Sequence, residues 1–226
     1  MMTMKWFSLV AVCASMPAFA APEIYTVEPH HTYPSFETTH MGISLWRGKF
    51  DRTEGKIWLD RENKTGRVMI SVDVRSINFG LPVMDKVALG DEFFKADQYP
   101  TAKYDGESIT FQGDVPVAVN GELTLAGVTK PLNLQIASFK CIMSPFLKRE
   151  VCGADVRAEF DRRGFGMMRD IVPDDPNVRL YIQVEAIKGD VLPQLTPPTS
   201  AAGAAGTAGS DQSSGPGGTS QNAPQK

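Results

Sequence analysis

The stretch FGLPVMDKVALGDEFFKADQYPTAKYDG, from Phe79 to Gly106, is the main place where the chain departs from a two-residue alternation of apolar and polar side chains. Pro82 can begin a helical turn and Gly90 interrupts the pattern, so a short helix is expected between them. The stretch predicts one helical insertion in an otherwise all-β chain, and we interpret it as a plug or lid on a barrel. Its apolar side chains follow helical spacing at Val83, Met84, Val87 and Ala88, and continue at Phe93 and Phe94.

Segments of clear alternation lie on both sides of this insertion. In the plainest one, Val68, Ile70, Val72 and Val74 share a face. Short turns join most such segments, which favours an up-and-down antiparallel barrel of about eight strands, with the helical insertion near one opening. The other expected strands are Ile24 to Glu28, Thr32 to His40, Trp46 to Asp60, Thr101 to Thr110, Val115 to Leu125, Leu132 toward Cys141, Ala154 to Phe160, and Leu180 to Ala186.

Two features of these strands bear on the interior of the barrel. Gly48 and Gly55 lie inside the run from Trp46 to Asp60, and glycines in such positions are typical of bulges or sharp bends. The turn expected after Leu125 spans Gly127 to Pro131. A barrel of about eight strands is either filled by side chains or encloses one slender ligand. The inward faces carry mostly small and medium residues, which favours a cavity, and a filled core is the alternative.

The two ends of the chain differ in composition from the middle. Residues 1–20 combine Lys5, an apolar centre and a small-residue pattern ending at Ala20, which predicts an export signal cleaved there. An uncleaved anchor is the alternative. Residues 191–226 are rich in Pro, Ala, Gly and Ser, which predicts a disordered tail or a spacer. The net charge of −3 with scattered cations argues against a nucleic-acid partner. Residues 21–190 are expected to form one domain without a membrane span.

Removal of the signal would leave two cysteines, Cys141 and Cys152. Both flank a turn-like Ser144-Pro145, so two antiparallel strands entering it would bring the cysteines opposite each other. Because exported proteins meet an oxidising environment, a structural disulfide between them is expected. A redox-active pair is the alternative, although the spacing is not C-x-x-C.

Four segments carry a resemblance to a known family. They are HTYPSFETTHMG (31–42), WRGKF (46–50), DEFFKADQYPTAKY (91–104) and GELTLAGVTKP (121–131). In this order and spacing they resemble the YceI-like family of bacterial periplasmic polyisoprenoid-binding proteins, over roughly Ile24 to Ile187. The resemblance implies a lipocalin-like barrel in the periplasm whose apolar tunnel holds a long isoprenoid or similar amphiphilic lipid. It also implies no catalytic residues, and it suggests a homodimer.

The side chains on the inward faces and around the helical insertion form the candidate ligand-binding set. Their expected role is dispersion contact with an apolar chain and its removal from water. The alternative for each is ordinary core packing or an outward position. The set is Phe36, Thr38, His40, Trp46, Phe50, Val68, Ile70, Val72, Met84, Val87, Phe93, Leu123, Leu125, Leu134, Ile136, Ile182 and Val184.

The sequence gives little support to other chemistry. It contains no G-x-S-x-G, H-E-x-x-H, P-loop or dinucleotide fingerprint, so no enzyme and no cofactor are predicted. His30 and His31 are adjacent and would point to opposite faces of a strand, so no metal site is predicted. His40 is either a hydrogen-bonded residue at a strand end or a contact to a lipid head group. The prediction is a non-catalytic carrier, with a surface interaction module on a filled barrel as the alternative.

Overall fold

Twelve strands and one short α-helix, α1 (Pro82–Ala88), make up the part of the chain that the structure, a computed structural model, describes: residues 21–169 and 175–192. The predicted signal and nearly all of the predicted tail lie outside the described residues. The strands are β1 (Glu23–Val27), β2 (Tyr33–His40), β3 (Ser44–Phe50), β4 (Thr53–Asp60), β5 (Thr65–Asp73), β6 (Ile77–Asn78), β7 (Thr101–Gln112), β8 (Val115–Leu125), β9 (Val128–Pro131), β10 (Leu134–Met143), β11 (Glu150–Asp161) and β12 (Asn177–Lys188).

Eight of these strands close a ring in the order β1, β4, β5, β7, β8, β10, β11 and β12. Each neighbouring pair is antiparallel. The ring closes where β12 returns to β1, with Tyr25 opposite Lys188 and Val27 opposite Ala186. The predicted all-β, antiparallel barrel of about eight strands is confirmed. Because alternate side chains of each strand point inward, the closed ring gathers the apolar faces into its interior.

Strands β2, β3 and β6 extend the sheet beyond this ring. The first half of β12 pairs with β2, from Val178 opposite Thr38 to Gln183 opposite Tyr33. Strand β3 then pairs with β2, and β6 pairs with the end of β3. The run from Trp46 to Asp60 was expected as one strand and is two, since β3 follows β2 in the extension whereas β4 pairs with β1 in the ring.

The expectation of bulges at Gly48 and Gly55 is wrong. Both residues pair in regular register, opposite Phe36 and Ile70. A Cβ at Gly48 would lie 2.7 Å from the Phe36 ring, and one at Gly55 would lie 2.3 Å from the Met69 carbonyl oxygen. These glycines therefore permit close approach of neighbouring groups, and the register shifts lie instead in the β7–β8 and β10–β11 pairs.

The turn after β8 is shorter than expected. Ala126 and Gly127 both have positive φ, 48° and 80°, as a two-residue hairpin turn requires. The residues that follow form β9, which pairs back onto β8 with Leu125 opposite Val128. Most of the segment from Gly127 to Pro131 is therefore strand.

The helical insertion covers one end of the barrel, mainly through residues that follow the helix. Of the residues of α1, Ala88 alone is buried, while Val83 is 62% exposed. After the helix, Leu89, Phe94 and Ala96 pack in an apolar cluster that includes Val74 and Phe165. The helix therefore lies along the rim, and the segment after it does the covering.

At the opposite end of the barrel, β10 and β11 form a long hairpin. Cys141 lies directly opposite Cys152 on these strands, and a disulfide joins them, as predicted. No helix in the described ranges is both long enough and apolar enough to cross a membrane.

Candidate functional site

The ring of strands encloses a cavity of about 210 Å³. All of the surface that its wall presents to this space belongs to apolar atoms. On β4 the wall runs from Thr53 through Ile57 to Leu59, a distance of roughly 20 Å along the strand at about 3.3 Å per residue. The cavity is therefore long as well as apolar.

Eleven of the predicted ligand-binding residues lie in the wall of this cavity. They come from the strands in which alternation is plainest, because a period of two places every second side chain on the same face. That they line the cavity agrees with the proposed role, and their contact with a ligand stays a prediction. The eleven are Phe36, Phe50, Val68, Ile70, Val72, Leu123, Leu125, Leu134, Ile136, Ile182 and Val184.

Other wall residues carried the same signal but were not selected. Val119 and Leu180 lie on the same faces as selected residues of their strands, and Val156 lies on an alternating strand from which no residue was selected. Tyr104 and Phe139 follow weaker patterns, since both strands contain register shifts. Alternation therefore identifies the inward face of a strand better than it identifies which residues of that face reach the cavity.

The three predicted residues of the helical insertion lie outside the wall. Val87 of α1 is exposed and Met84 is half-buried, because the two-turn helix lies along the rim. The ring of Phe93 faces the guanidinium of Arg162, whose central carbon is 5.9 Å from the ring centroid. Its neighbour Phe94 lines the cavity instead.

Thr38, His40 and Trp46 also lie outside the wall, because β2 and β3 extend the sheet beyond the ring and only Pro34, Phe36 and Phe50 of these strands reach the cavity. His40 and Trp46 nevertheless belong to a row of aromatic side chains that ends in the cavity. Neighbouring ring centroids in this row are 5.0 to 5.8 Å apart, which is typical of favourable aromatic pairs. The row is His40, Trp46, Phe79, Phe36, Phe50 and Phe94.

The polar residues of the wall direct little hydrogen bonding toward the cavity. The hydroxyl of Tyr104 lies 3.0 Å from the carbonyl oxygen of Leu132 and 3.2 Å from that of Val119, so its proton is used within the protein. Burial raises the pKa of Tyr104, which keeps the hydroxyl protonated. The hydroxyl oxygen of Thr53 is buried and has no hydrogen-bond partner among the described residues. A molecule in the cavity would meet a hydrocarbon surface.

A second depression, of about 620 Å³, lies on the outside of β2 and β3, and Phe36 lines both spaces. The carboxylate of Glu37, which lines this second depression, is buried and already has hydrogen-bond and ion-pair partners within the protein. The Nε atoms of Arg47 and Arg179 lie 3.2 and 3.3 Å from its oxygens, and the Tyr181 hydroxyl donates to it at 3.2 Å. The charges of this depression are consistent with a structural role.

Comparison with known proteins relates this cavity to a family. The model of the YceI-like domain matches residues 25–186. This chain belongs to the YceI-like family. A UPF0312 protein of Shewanella denitrificans is 28% identical over 170 residues, which cover 75% of this chain and 88% of that protein.

Two solved structures resemble this YceI-like chain in fold. The YCEI protein of Campylobacter jejuni has a TM-score of 0.59 and 22% identity, with 67% of this chain and 90% of that chain covered. A domain of Saccharophagus degradans, described as a polyisoprenoid binding domain implicated in plant cell wall breakdown, has a TM-score of 0.52 and 15% identity. The match covers 73% of this chain and 98% of the Saccharophagus degradans domain.

The YceI-like barrel also contains one group of side chains with metal-ligating atoms close together, counting only the described ranges. The group is Cys141, Glu150 and Cys152. Since the two sulfur atoms form a disulfide, neither is available as the thiolate that a metal would require. Glu150 accepts hydrogen bonds from Arg61 and Tyr25, at 2.9 Å each. The group therefore stabilises this end of the barrel.

Proposed function

We propose that this YceI-like protein is a periplasmic carrier that holds a long isoprenoid or similar amphiphilic lipid, with the apolar chain inside the barrel. It catalyses no reaction and uses no cofactor. The observation that carries the proposal is the cavity of about 210 Å³, in which the surface that faces the space belongs to apolar atoms. The predicted export signal and the polyisoprenoid-binding description of the Saccharophagus degradans domain support it.

The form of the cavity favours a chain-like ligand. Protein interiors are close-packed, so an apolar space of this size inside a small barrel is an unusual feature to maintain without an occupant. Transfer of apolar ligand surface from water would contribute about 25 cal/mol per Å². The same cavity weighs against the alternative of an interaction module on a filled barrel.

The decisive experiment identifies what the barrel contains. The mature protein is purified, and its bound molecules are extracted and measured by mass spectrometry. We expect a prenyl or other long-chain lipid at close to one molecule per chain. Recovery of an empty protein that also takes up no prenyl chain or long-chain amide from added lipid would refute the proposal.

The structure also provides a matched pair of variants for the covered end of the barrel. Phe94 lines the cavity and packs edge-on against Phe50, with ring centroids 5.7 Å apart. Its neighbour Phe93 contacts Arg162 outside the wall. We expect Phe94→Ala to release bound lipid faster, whereas Phe93→Ala keeps the dissociation rate of the parent protein. Release is followed by transfer to acceptor vesicles, and equal rates for both variants would contradict a lid made by Phe94.

A further inference from the structure

The end of the β10–β11 hairpin, comprising the last residues of β10 and the loop, exposes three large apolar side chains at one end of the barrel. Phe146 is 91% exposed, Met143 is 68% exposed and Ile142 is 52% exposed. Large apolar side chains grouped on a surface in this way mark sites of interaction with other molecules or with membranes. We call Ile142, Met143 and Phe146 the hairpin tip.

The loop is held in an ordered conformation that keeps these side chains outward. The amide of Ser144 donates to the carbonyl oxygen of Arg149 at 2.9 Å, and the amide of Lys148 donates to the carbonyl oxygen of Ser144 at 3.0 Å. The amide of Leu147 donates to the Ser144 hydroxyl oxygen at 3.2 Å, and Ser144 itself is buried. The Cys141–Cys152 disulfide fixes the two strands just below. Little conformational freedom would be lost when this loop binds.

The charge around the hairpin tip is opposite in sign to that of the whole protein. Residues 140–149 contain Lys140, Lys148 and Arg149 and no acidic residue, whereas the chain has a net charge of −3. All three cationic residues are exposed. Glu150, the next residue, is turned toward Arg61, and its side chain is 17% exposed. An apolar tip flanked in sequence by exposed cations is complementary to a bilayer with anionic head groups.

The hairpin tip lies at the end of the barrel opposite the helical insertion. Strand β11 starts at Glu150 next to the tip, and its other end carries Phe160, which packs with the apolar clusters beneath the insertion. Val191, 70% exposed, lies on the hairpin side, where its carbonyl oxygen accepts from Arg149 Nη1 at 3.0 Å. The tip therefore lies at the end of the barrel opposite the insertion.

From the exposed apolar tip, its ordered loop and its cationic surroundings, we infer that the β10–β11 hairpin docks the protein on an anionic phospholipid bilayer. Docking inserts Phe146 and Met143 between head groups, while Lys140, Lys148 and Arg149 contact phosphates. The barrel would then stand on the membrane with its helix-covered end facing away. This inference goes beyond the carrier function, because it concerns the outer surface and not the cavity.

The test uses the mature protein, stripped of any bound lipid, and vesicles of phosphatidylcholine alone or mixed with phosphatidylglycerol. Flotation measures the fraction of protein bound. We expect binding to the anionic vesicles that weakens as salt is raised. Phe146→Ser is expected to weaken it about tenfold, because one aromatic side chain no longer leaves water. Lys148→Glu is expected to weaken it by a similar factor on anionic vesicles, since two units of charge change.

Ile43→Ser provides the matched control. Ile43 is 82% exposed at the turn between β2 and β3, and this turn lies at the opposite end of the barrel. Its substitution should leave vesicle binding unchanged. Absence of binding by the parent protein, or equal losses for Ile43→Ser and Phe146→Ser, would overturn the inference. The inference would also be overturned if the parent protein bound no vesicles but self-associated in vesicle-free buffer, and if Phe146→Ser abolished this self-association. The tip would then contact a second copy of the chain. Since lipid-free protein is used, the outcome does not depend on the carrier function.

Discussion

On the proposed carrier function, removal of a bound lipid from the barrel should lower the stability of the protein substantially. The cavity of about 210 Å³ would then be empty, and its wall of apolar atoms gives water nothing to bond to. Empty cavities in proteins cost about 24 cal/mol per Å³, which corresponds to about 5 kcal/mol here. For a domain of this size each kcal/mol lowers Tm by about 2–4 °C, so we expect a decrease of roughly 10–20 °C.

The measurement compares the loaded, stripped and reloaded protein by urea denaturation and by calorimetry. Ala154 lines the cavity, whereas Ala137 is exposed on β10, so the same substitution can be made inside and outside the barrel. Ala154→Phe fills part of the space, and we expect it to take up less lipid and to lose less stability on stripping. Ala137→Phe should behave as the parent protein does. The reasoning would be refuted if loaded and stripped protein, verified by mass spectrometry, unfolded at the same urea concentration.

Three further predictions concern the barrel itself. Gly121→Ala should lower the free energy of unfolding by about 2 kcal/mol or more, because the new Cβ would lie 2.2 Å from a backbone oxygen. Gly153→Ala is the control, since the atom nearest to its new Cβ would lie 3.7 Å away, and it should leave the free energy of unfolding nearly unchanged in the same urea titration. Replacing both cysteines of the Cys141–Cys152 disulfide by serine should cost about 2–3 kcal/mol, measured against the oxidised parent protein. Burial raises the pKa of Tyr104 above its unfolded value of about 10, so its contribution to the free energy of unfolding is present below that pH and is lost as pH rises above it. Tyr104→Phe should therefore make the free energy of unfolding fall less steeply at alkaline pH. An unchanged dependence on pH would contradict this role of Tyr104.

Alternation along the sequence was sufficient to find the ring and most of its inner wall. On β5, Val68, Ile70 and Val72 all line the cavity, as their shared face indicated. The same rule placed Thr38 and His40 on the face of Phe36, and both lie beyond the ring. A period of two assigns a side chain to a face, but it does not say where a strand leaves the ring, because that depends on which distant strand it pairs with.

The glycines show a second limit of the sequence. Gly48 and Gly55 were interpreted as marking bulges or sharp bends, yet both pair in regular register. Their lack of a Cβ instead makes room for the Phe36 ring and for the Met69 carbonyl, which come close only in the folded barrel. The identity of the atom that approaches a glycine is a long-range property. Sequence alone therefore indicates that the position is special without indicating why.

The helical insertion lies at one end of the barrel, as its periodicity predicted, but the residues that cover this end follow the helix. Helical spacing marked Val83 and Val87 as an apolar face, but a helix of two turns on a rim has no second layer to cover it, and both residues are exposed. After the helix, Phe94 lines the cavity at this end and joins the row of aromatic rings that begins at His40. Because Phe93 and Phe94 are adjacent and chemically identical, only the position of the chain after Gly90 decides which ring enters the cavity. The end of the helix holds the chain at this point, since the amide of Phe94 donates to the carbonyl oxygen of Ala88 at 3.0 Å. The contrast between Phe94→Ala and Phe93→Ala measures which of the two rings retains the ligand.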